Sequence, residues 1–356
     1  MKYNDVAFQL VPARYDFLGN PHRRSFEEYS SVNNFELHYR ILGHLSSVFC
    51  VAFDKSGSYV VTGADDNLVK VWCVSSGLLR FTLRGHAAEI SDISISEDNT
   101  LLATGSVDRS VRVWCLQTAA PVCLFRSHSA IVTLVTFLPF VDGTVRYLAS
   151  AGGDCTVNFY RYCSADREFE SAPIQFFERT TAGPRIVSTC HSPGGSLVVF
   201  GDTHNKLRIY RIKRDGIEKL IDIDAHTDRV DSLEWAHMGL RFASGSRDGT
   251  AKVWKFECNS WMPIVLHPKV KDEKTASSRN SYKVTMLCWS LKDDFIVTAG
   301  SDFILRVWST ASGEELRQLE GHKEDAYVLH SHPVLDDYIF SGGHDGFLMV
   351  CLIWDY

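Results

Sequence analysis

One pattern runs through nearly the whole chain and limits its fold more than any other feature: a small residue and a histidine open a stretch that closes on an aromatic residue. The clearest openings are at His44, His86, His128, His226 and His322, with matching strand ends at Trp72, Trp114, Tyr160, Trp254 and Cys351. Two more copies, ending at Tyr210 and Trp308, carry no histidine, and the seven ends lie 42, 46, 50, 44, 54 and 43 residues apart. Within a copy, residues 58–63 read Ser-Tyr-Val-Val-Thr-Gly, a polar Ala-Asp-Asp-Asn follows, and residues 68–72 read as a second short strand, which is a hairpin signal. Periods of about 40 to 45 residues in this layout suit four-stranded blades. The chain therefore reads as all-β, a seven-bladed β-propeller, although 356 residues without a repeat would suggest more than one domain.

Each copy also carries polar residues at fixed offsets. An Asp stands six residues before the closing position at Asp66, Asp108, Asp154, Asp248, Asp302 and Asp345, and a hydroxyl residue stands four before that at Thr62, Thr104, Ser150, Ser244, Thr298 and Ser341. The fourth copy has His204 and Phe200 there instead. A buried Asp or His is costly unless its polar atoms are satisfied, so a repeated set of this kind points to a repeated hydrogen-bonded cluster. His, Ser/Thr, Asp and Trp at these offsets resemble the structural tetrad of WD-repeat propellers. The resemblance implies that the four side chains bond one another within a blade. Complete sets are His44, Thr62, Asp66 and Trp72; His86, Thr104, Asp108 and Trp114; and His226, Ser244, Asp248 and Trp254. Copy three has Tyr160 for Trp, copy six lacks the His, copy seven has Cys351 and copy four keeps almost nothing, so the third, fourth and last blades are expected to be the loosest.

The ends suggest how the ring closes. Residues 35–42, FELHYRIL, precede His44 as LLRFTLR precedes His86, and the last copy leaves no room for its own outer strand before Tyr356. An N-terminal strand is thus expected to complete the seventh blade and remove an exposed edge. That divides the chain into an N-terminal extension at 1–34 and a propeller at 35–356. The polar segment 269–281, KVKDEKTASSRNS, accounts for the long spacing before Trp308 and reads as a mobile loop.

Function classes narrow by exclusion. A net charge of -6 without a long basic run does not suit direct reading of nucleic-acid sequence. None of the 10 cysteines forms a Cys-x-x-Cys pair, and most lie in apolar runs as small buried hydrophobes, which suits a reducing compartment. The N-terminus lacks a signal layout, and no apolar run nears the roughly 20 residues needed to cross a bilayer. His, Asp and Ser also make hydrolase triads, but a catalytic constellation occurs once, whereas this trio repeats at one spacing. His330 and His332 share a strand face with no third metal ligand placed by spacing. The paired glycines do not form a phosphate loop, and no cofactor is implied. Trp235 and Trp289 read as core residues between blades. Binding is expected on loops beside the tetrads, at Ser46, Asp65, Glu89, Asp228, Arg229, Arg247, Ser301, Glu324 and His344.

Several stretches resemble one subfamily: RGHAAEISD (84–92), RVWCLQ (112–117), HTDRVDS (226–232), SGSRDGTAKVW (244–254) and KVTMLCW (283–289) are similar to the propeller of the bromodomain-and-WD-repeat proteins. The resemblance covers roughly residues 37–356. It implies a nuclear, chromatin-associated regulator of transcription that binds histones or other chromatin factors, and a substrate receptor of a cullin-RING ubiquitin ligase that binds the ligase adaptor. The chain shows no bromodomain after Tyr356, and Trp354-Asp355-Tyr356 stops short of the Trp-Asp-x-Arg box of many ligase receptors. The sequence thus leads to a non-enzymatic, monomeric protein-binding ring in the nucleus, with a cytoplasmic assembly scaffold for cytoskeletal or signalling complexes as the alternative.

Overall fold

The computed structural model describes residues 43–44, 46–142, 144–177, 185–213, 216–266, 282–331, 338–343 and 348–352. These residues form an all-β propeller, with seven antiparallel sheets among them. Six sheets have four strands each, in simple meander order. The first runs through Val48–Phe53, Tyr59–Ala64, Val69–Cys73 and Leu79–Leu83. The seventh shows three strands, Ala326–Ser331, Tyr338–Gly343 and Leu348–Leu352. The expected extension at 1–34, the closing strand at 35–42 and the polar segment at 269–281 lie outside the described residues.

The local sequence explains which strand takes which place. Second strands such as Leu101–Ser106, LLATGS, and Phe295–Gly300, FIVTAG, are buried along their whole length. They lie between neighbouring sheets, so both faces must be apolar or small and no alternation is seen. Outer strands such as Glu315–Glu320, ELRQLE, stay partly exposed and read as polar and apolar mixtures.

The core is a series of layers. Ile90, Ile93 and Ile95 of the second sheet pack on Val61, Val69 and Val71 of the first. Val230 and Trp235 of the fifth pack on Val199, Leu207 and Ile209 of the fourth, and Leu287 and Trp289 of the sixth on Ala243 and Val253 of the fifth. Trp235 and Trp289 are buried at 6% and 0% exposure, as the sequence suggested. The first sheet differs on its other side. Val48, Val51 and Phe53 align with the three isoleucines of the second sheet, yet they are 46%, 40% and 48% exposed.

Each sheet turns its first strand inward, and that strand is an edge whose outer backbone groups need partners. Side chains of the neighbouring sheet supply them. Thr133, Ser188 and Thr285 hydroxyls donate to the carbonyls of Ile186, Val230 and Ala326 at 2.7, 3.0 and 3.2 Å. Asp92 accepts from the Val135 amide at 2.8 Å, and Glu234 accepts from the Trp289 amide at 2.9 Å.

Glu234 gives a pH test. Burial, with the nearby Asp293 carboxylate adding to it, pushes its carboxyl up to about 8. A raised folded-state value means that the stability it contributes is complete below the ordinary carboxylate range and is lost as pH rises through about 8. Glu234→Gln keeps the acceptor for Trp289 and removes the titration. Against the wild type, the variant is expected to gain stability by at most about 1.4 kcal/mol for each pH unit between roughly 5 and 8. Urea melts at the two ends of that window check this, and a constant difference between the proteins would remove Glu234 as the titrating group.

Candidate functional site

The polar sets predicted by spacing come together inside the sheets. In the first, His44 Nε2 lies 2.8 Å from Thr62 Oγ1, its Nδ1 lies 2.9 Å from Asp66, and Trp72 Nε1 donates to Thr62 at 2.9 Å. The second repeats this with His86 on Thr104 at 2.8 Å and on Asp108 at 2.9 Å, and Trp114 on Thr104 at 3.1 Å. In the fifth, His226 meets Ser244 at 2.7 Å and Asp248 at 3.1 Å, with Trp254 donating to Ser244 at 2.9 Å. His128 joins Ser150 and Asp154 in the third sheet, where the Tyr160 hydroxyl replaces the indole at 3.2 Å, and His322 meets Ser341 at 2.8 Å in the seventh. Asp345 lies outside the described residues.

The hairpin turn between second and third strands explains why the Asp is needed. The residue after it is left-handed in five sheets, at Asn67, Arg109, Cys155, Gly249 and Phe303, and in the fourth sheet Asn205 takes the same conformation after His204. The Asp caps the next amide in turn, as Asp248 does for Thr250 at 2.9 Å. At Gly249 the demand for glycine is strictest, because φ is 83° and an added Cβ would meet the Tyr282 carbonyl at 2.8 Å. Burial alone would raise the Asp108 carboxyl. Hydrogen bonds from Ser110, the Ala87 amide and His86 outweigh it and hold the group at about 2. Asp154 and Asp248 are lowered by similar bonds against the same burial. Burial lowers His86 and His226 despite their carboxylate partners. Every one of these folded-state values is depressed, so the clusters contribute stability at neutral pH that is lost as pH falls.

The shared hydroxyl is the hinge of each set. Ser244→Ala would orphan both His226 Nε2 and Trp254 Nε1, and is expected to cost about 2–4 kcal/mol by chemical denaturation, with an orphaned polar group worth roughly 1–3 kcal/mol. A loss below that of an ordinary surface substitution would mean the cluster carries no stability.

The loop residues picked from the sequence cluster where the inner strands begin. Asp65 donates its amide to the Ser47 carbonyl beside Ser46, and the Arg247 amide donates to the Arg229 carbonyl, each at 3.0 Å. Ser301 donates its amide to the Lys283 carbonyl at 2.9 Å, and Glu89 accepts from the Val107 amide at 3.0 Å. Asp228 precedes Arg229, and Glu324 stands close to the start of the seventh inner strand. Ser46, Asp65, Glu89, Asp228 and Glu324 are exposed; Arg229, Arg247 and Ser301 are partly so. His344 and His332 lie outside the described residues.

A family profile described as "WD domain, G-beta repeat" matches residues 35–73, 77–115, 218–255 and 273–309. Those matches fall on the first, second, fifth and sixth sheets. The chain is a WD-repeat protein. It is similar to a bromodomain and WD repeat-containing protein of Dictyostelium discoideum, 27% identical over 390 residues, which cover 89% of this chain and 17% of the relative. It is also similar to THO complex subunit 3 of Arabidopsis thaliana, 34% identical over 110 residues, or 31% of this chain and 32% of that protein. A third relative, the WD40 repeat-containing protein HOS15 of Arabidopsis thaliana, is 29% identical over 106 residues, or 28% of this chain and 17% of its own. The WD-repeat chain thus spans less than a third of the length of each of these relatives.

Two sheets of this WD-repeat protein depart from the pattern: in sequence the sixth reads as lacking its histidine and the fourth as keeping almost nothing. In the sixth, Tyr282 fills the histidine's place: an added Cβ at Gly300 would run into Tyr282 and Asp302, just as one at Gly152 would meet His128 and Asp154. The Arg306 guanidinium lies over the Tyr282 ring, 4.7 Å from its centre, and bonds Asp302 at 3.0 Å. In the fourth, Asp202 and Arg208 form a buried ion pair at 3.1 Å, and Asp202 also accepts the amides of His204 and Lys206. The third and fourth sheets, expected to be loose, share an aromatic layer of Tyr147, Phe159, Phe200 and Tyr210 that is at most 1% exposed. The missed signal was the residue two before each closing aromatic: Lys70, Arg112, Asn158, Arg208, Lys252 and Arg306. Lys70 and Lys252 turn to the carbonyls of Gly43 and Ala225, whereas Arg208 and Arg306 reach a carboxylate.

Proposed function

We propose that this WD-repeat protein is a non-catalytic scaffold that holds other proteins by the loops at the mouth of its ring, in the nucleus and in chromatin-linked regulation of transcription. One observation supports the scaffold reading above the rest. The groups that could act as base or nucleophile bond each other indoors, sheet after sheet, while the exposed residues beside them, among them Ser46, Asp65, Glu89 and Asp228, are polar loop side chains suited to contact. The nuclear part draws on relatives, one of which carries a bromodomain in its name and another a THO complex subunit. Histones and other chromatin factors are the partners this reading names. A substrate-receptor role in a cullin-RING ligase rests on the resemblance seen in the sequence alone.

Cross-linking mass spectrometry on the endogenous protein, after separation of nuclei from cytoplasm, tests this. Recovery in nuclei with chromatin factors is expected, and recovery of a ligase adaptor would add the receptor role. Uniform exclusion from nuclei would overturn the nuclear reading in favour of a cytoplasmic assembly scaffold.

A further inference from the structure

We propose that one sector of the ring mouth, made by Arg185, Arg229, Arg247 and Lys283, binds an acidic peptide segment of a partner protein. This rests on the scaffold reading and names the partner chemistry for part of its surface.

The repeat makes positions comparable between sheets. The residue immediately before each inner strand is, in order, Ser47, Glu89, Ile131, Arg185, Arg229, Lys283 and Asp325. Their equivalence is structural. The carbonyls of the first six each accept an amide from the turn after their own second strand, with Arg185, Arg229 and Lys283 accepting from Thr203, Arg247 and Ser301 at 2.9, 3.0 and 2.9 Å. The inner strands of the fourth, fifth and sixth sheets, Ile186–His191, Val230–Trp235 and Val284–Trp289, pack in sequence against one another. Three cations therefore stand side by side on one arc of the mouth.

The arc is built as well as charged. The amides of Arg185 and Lys283 donate to the hydroxyls of Thr203 and Ser301 at 2.9 and 3.0 Å, which fixes the backbone that presents each side chain. Arg247 adds a fourth cation. Its Nε donates to Asp231 at 2.7 Å, and Arg229 pairs with the same carboxylate, so two guanidiniums are held together. The sector carries those four cations against the carboxylates of Asp228 and Asp231, and the Asp302 carboxylate after Ser301 is paired with Arg306. Elsewhere around the mouth stand Asp65, Glu89, Glu324 and Asp325, so the seventh and first sheets take the opposite sign with Lys323 among them, while in the second Glu89 is offset by Arg109.

A mouth with two signs selects a ligand by charge and by orientation. An acidic segment fits the arc, and its on-rate gains from steering. A nucleic-acid strand fits less well, because a continuous phosphate chain would meet Asp228 and Asp231 inside the sector and a net charge of -6 around it.

The test is fluorescence anisotropy of the whole chain with a short labelled peptide of alternating glutamate and serine, at low and high salt. Binding that weakens with salt is expected. The triple variant Arg185→Glu, Arg229→Glu and Lys283→Glu is expected to lose about tenfold or more in affinity. The charge-matched control Arg211→Glu, Lys213→Glu and Lys255→Glu, at the far ends of the strands, is expected to bind as the wild type does. Melting temperatures verify folding, and exposed Arg185→Glu alone gives the same direction at smaller size should the triple variant not fold. Equal weakening by both triples, no binding by the wild type, or displacement of the peptide by a lower concentration of single-stranded oligonucleotide would each overturn the proposal. Cross-linked partners captured equally by the wild type and the triple variant would sink this sector while leaving the scaffold reading standing.

Discussion

Replacing Asp202 with asparagine is expected to lower the stability of the folded chain by about 3–5 kcal/mol, the usual cost of leaving one member of a buried ion pair without its partner. Asp202 is 0% exposed and Arg208 is 2% exposed, so water cannot take over the lost charge. Asparagine keeps an oxygen for the His204 and Lys206 amides, which isolates the ionic part of the effect. The double variant Asp202→Asn with Arg208→Met removes both charges and keeps a long side chain among apolar neighbours. It should recover most of the loss, because the penalty lies in the orphaned guanidinium and not in the absence of a bond. Denaturant titration of the wild type, the single variants Asp202→Asn and Arg208→Met, and the double variant measures the coupling. A single variant that costs less than about 1 kcal/mol, or a double variant as weak as the single, would mean that the pair does not hold the fourth sheet.

That pair also marks where the sequence was legible and where it was not. The sheets could be read because strand alternation and the His, hydroxyl, Asp and Trp offsets are periodic, and each periodic residue meets the same neighbours in every copy. Trp235 and Trp289 could be assigned to the core for the same reason. The fourth sheet, and the histidine's place in the sixth, could not be read by offset. Tyr282 stands two positions later than a histidine would, and its longer side chain covers the difference. Asp202 lies two residues ahead of the position expected for the carboxylate, and what restores the geometry is the reach of Arg208. A search by fixed offset finds only solutions that reuse the same residue, whereas the structure needs only a charge and a donor in the same space. The loop residues were legible in place but not in grouping: the mouth could be inferred from the tetrads, yet the adjacency of Arg185, Arg229 and Lys283 depends on which inner strands pack together.

The second large effect concerns the seam between the last sheet and the first. Val48, Val51 and Phe53 occupy the places that Ile90, Ile93 and Ile95 hold in the second sheet, where their counterparts are at most 7% exposed. Fully burying an aliphatic or aromatic side chain is worth about 1.5–3 kcal/mol, and with a little under half of each side chain still exposed the three represent roughly 2–4 kcal/mol that a neighbouring sheet could supply. The seventh sheet shows three strands among the described residues, one fewer than the others. Residues 35–42 carry the strand pattern of Leu79–Leu83, and the family match begins at residue 35. We therefore expect those residues to complete the seventh sheet, which would then cover the exposed face of the first. Deleting residues 1–43 should lower the melting temperature by roughly 4–8 °C, at about 2 °C per kcal/mol, the low end of the range because the shift per kcal/mol falls with chain length. Deleting 1–34 alone removes only what lies before the repeat, and should shift it far less. The two deletions compared by differential scanning calorimetry isolate the strand from the extension. If both melt with the intact chain, the seam is closed by something other than this strand; if both fall equally, the extension and not the strand is what covers Val48, Val51 and Phe53.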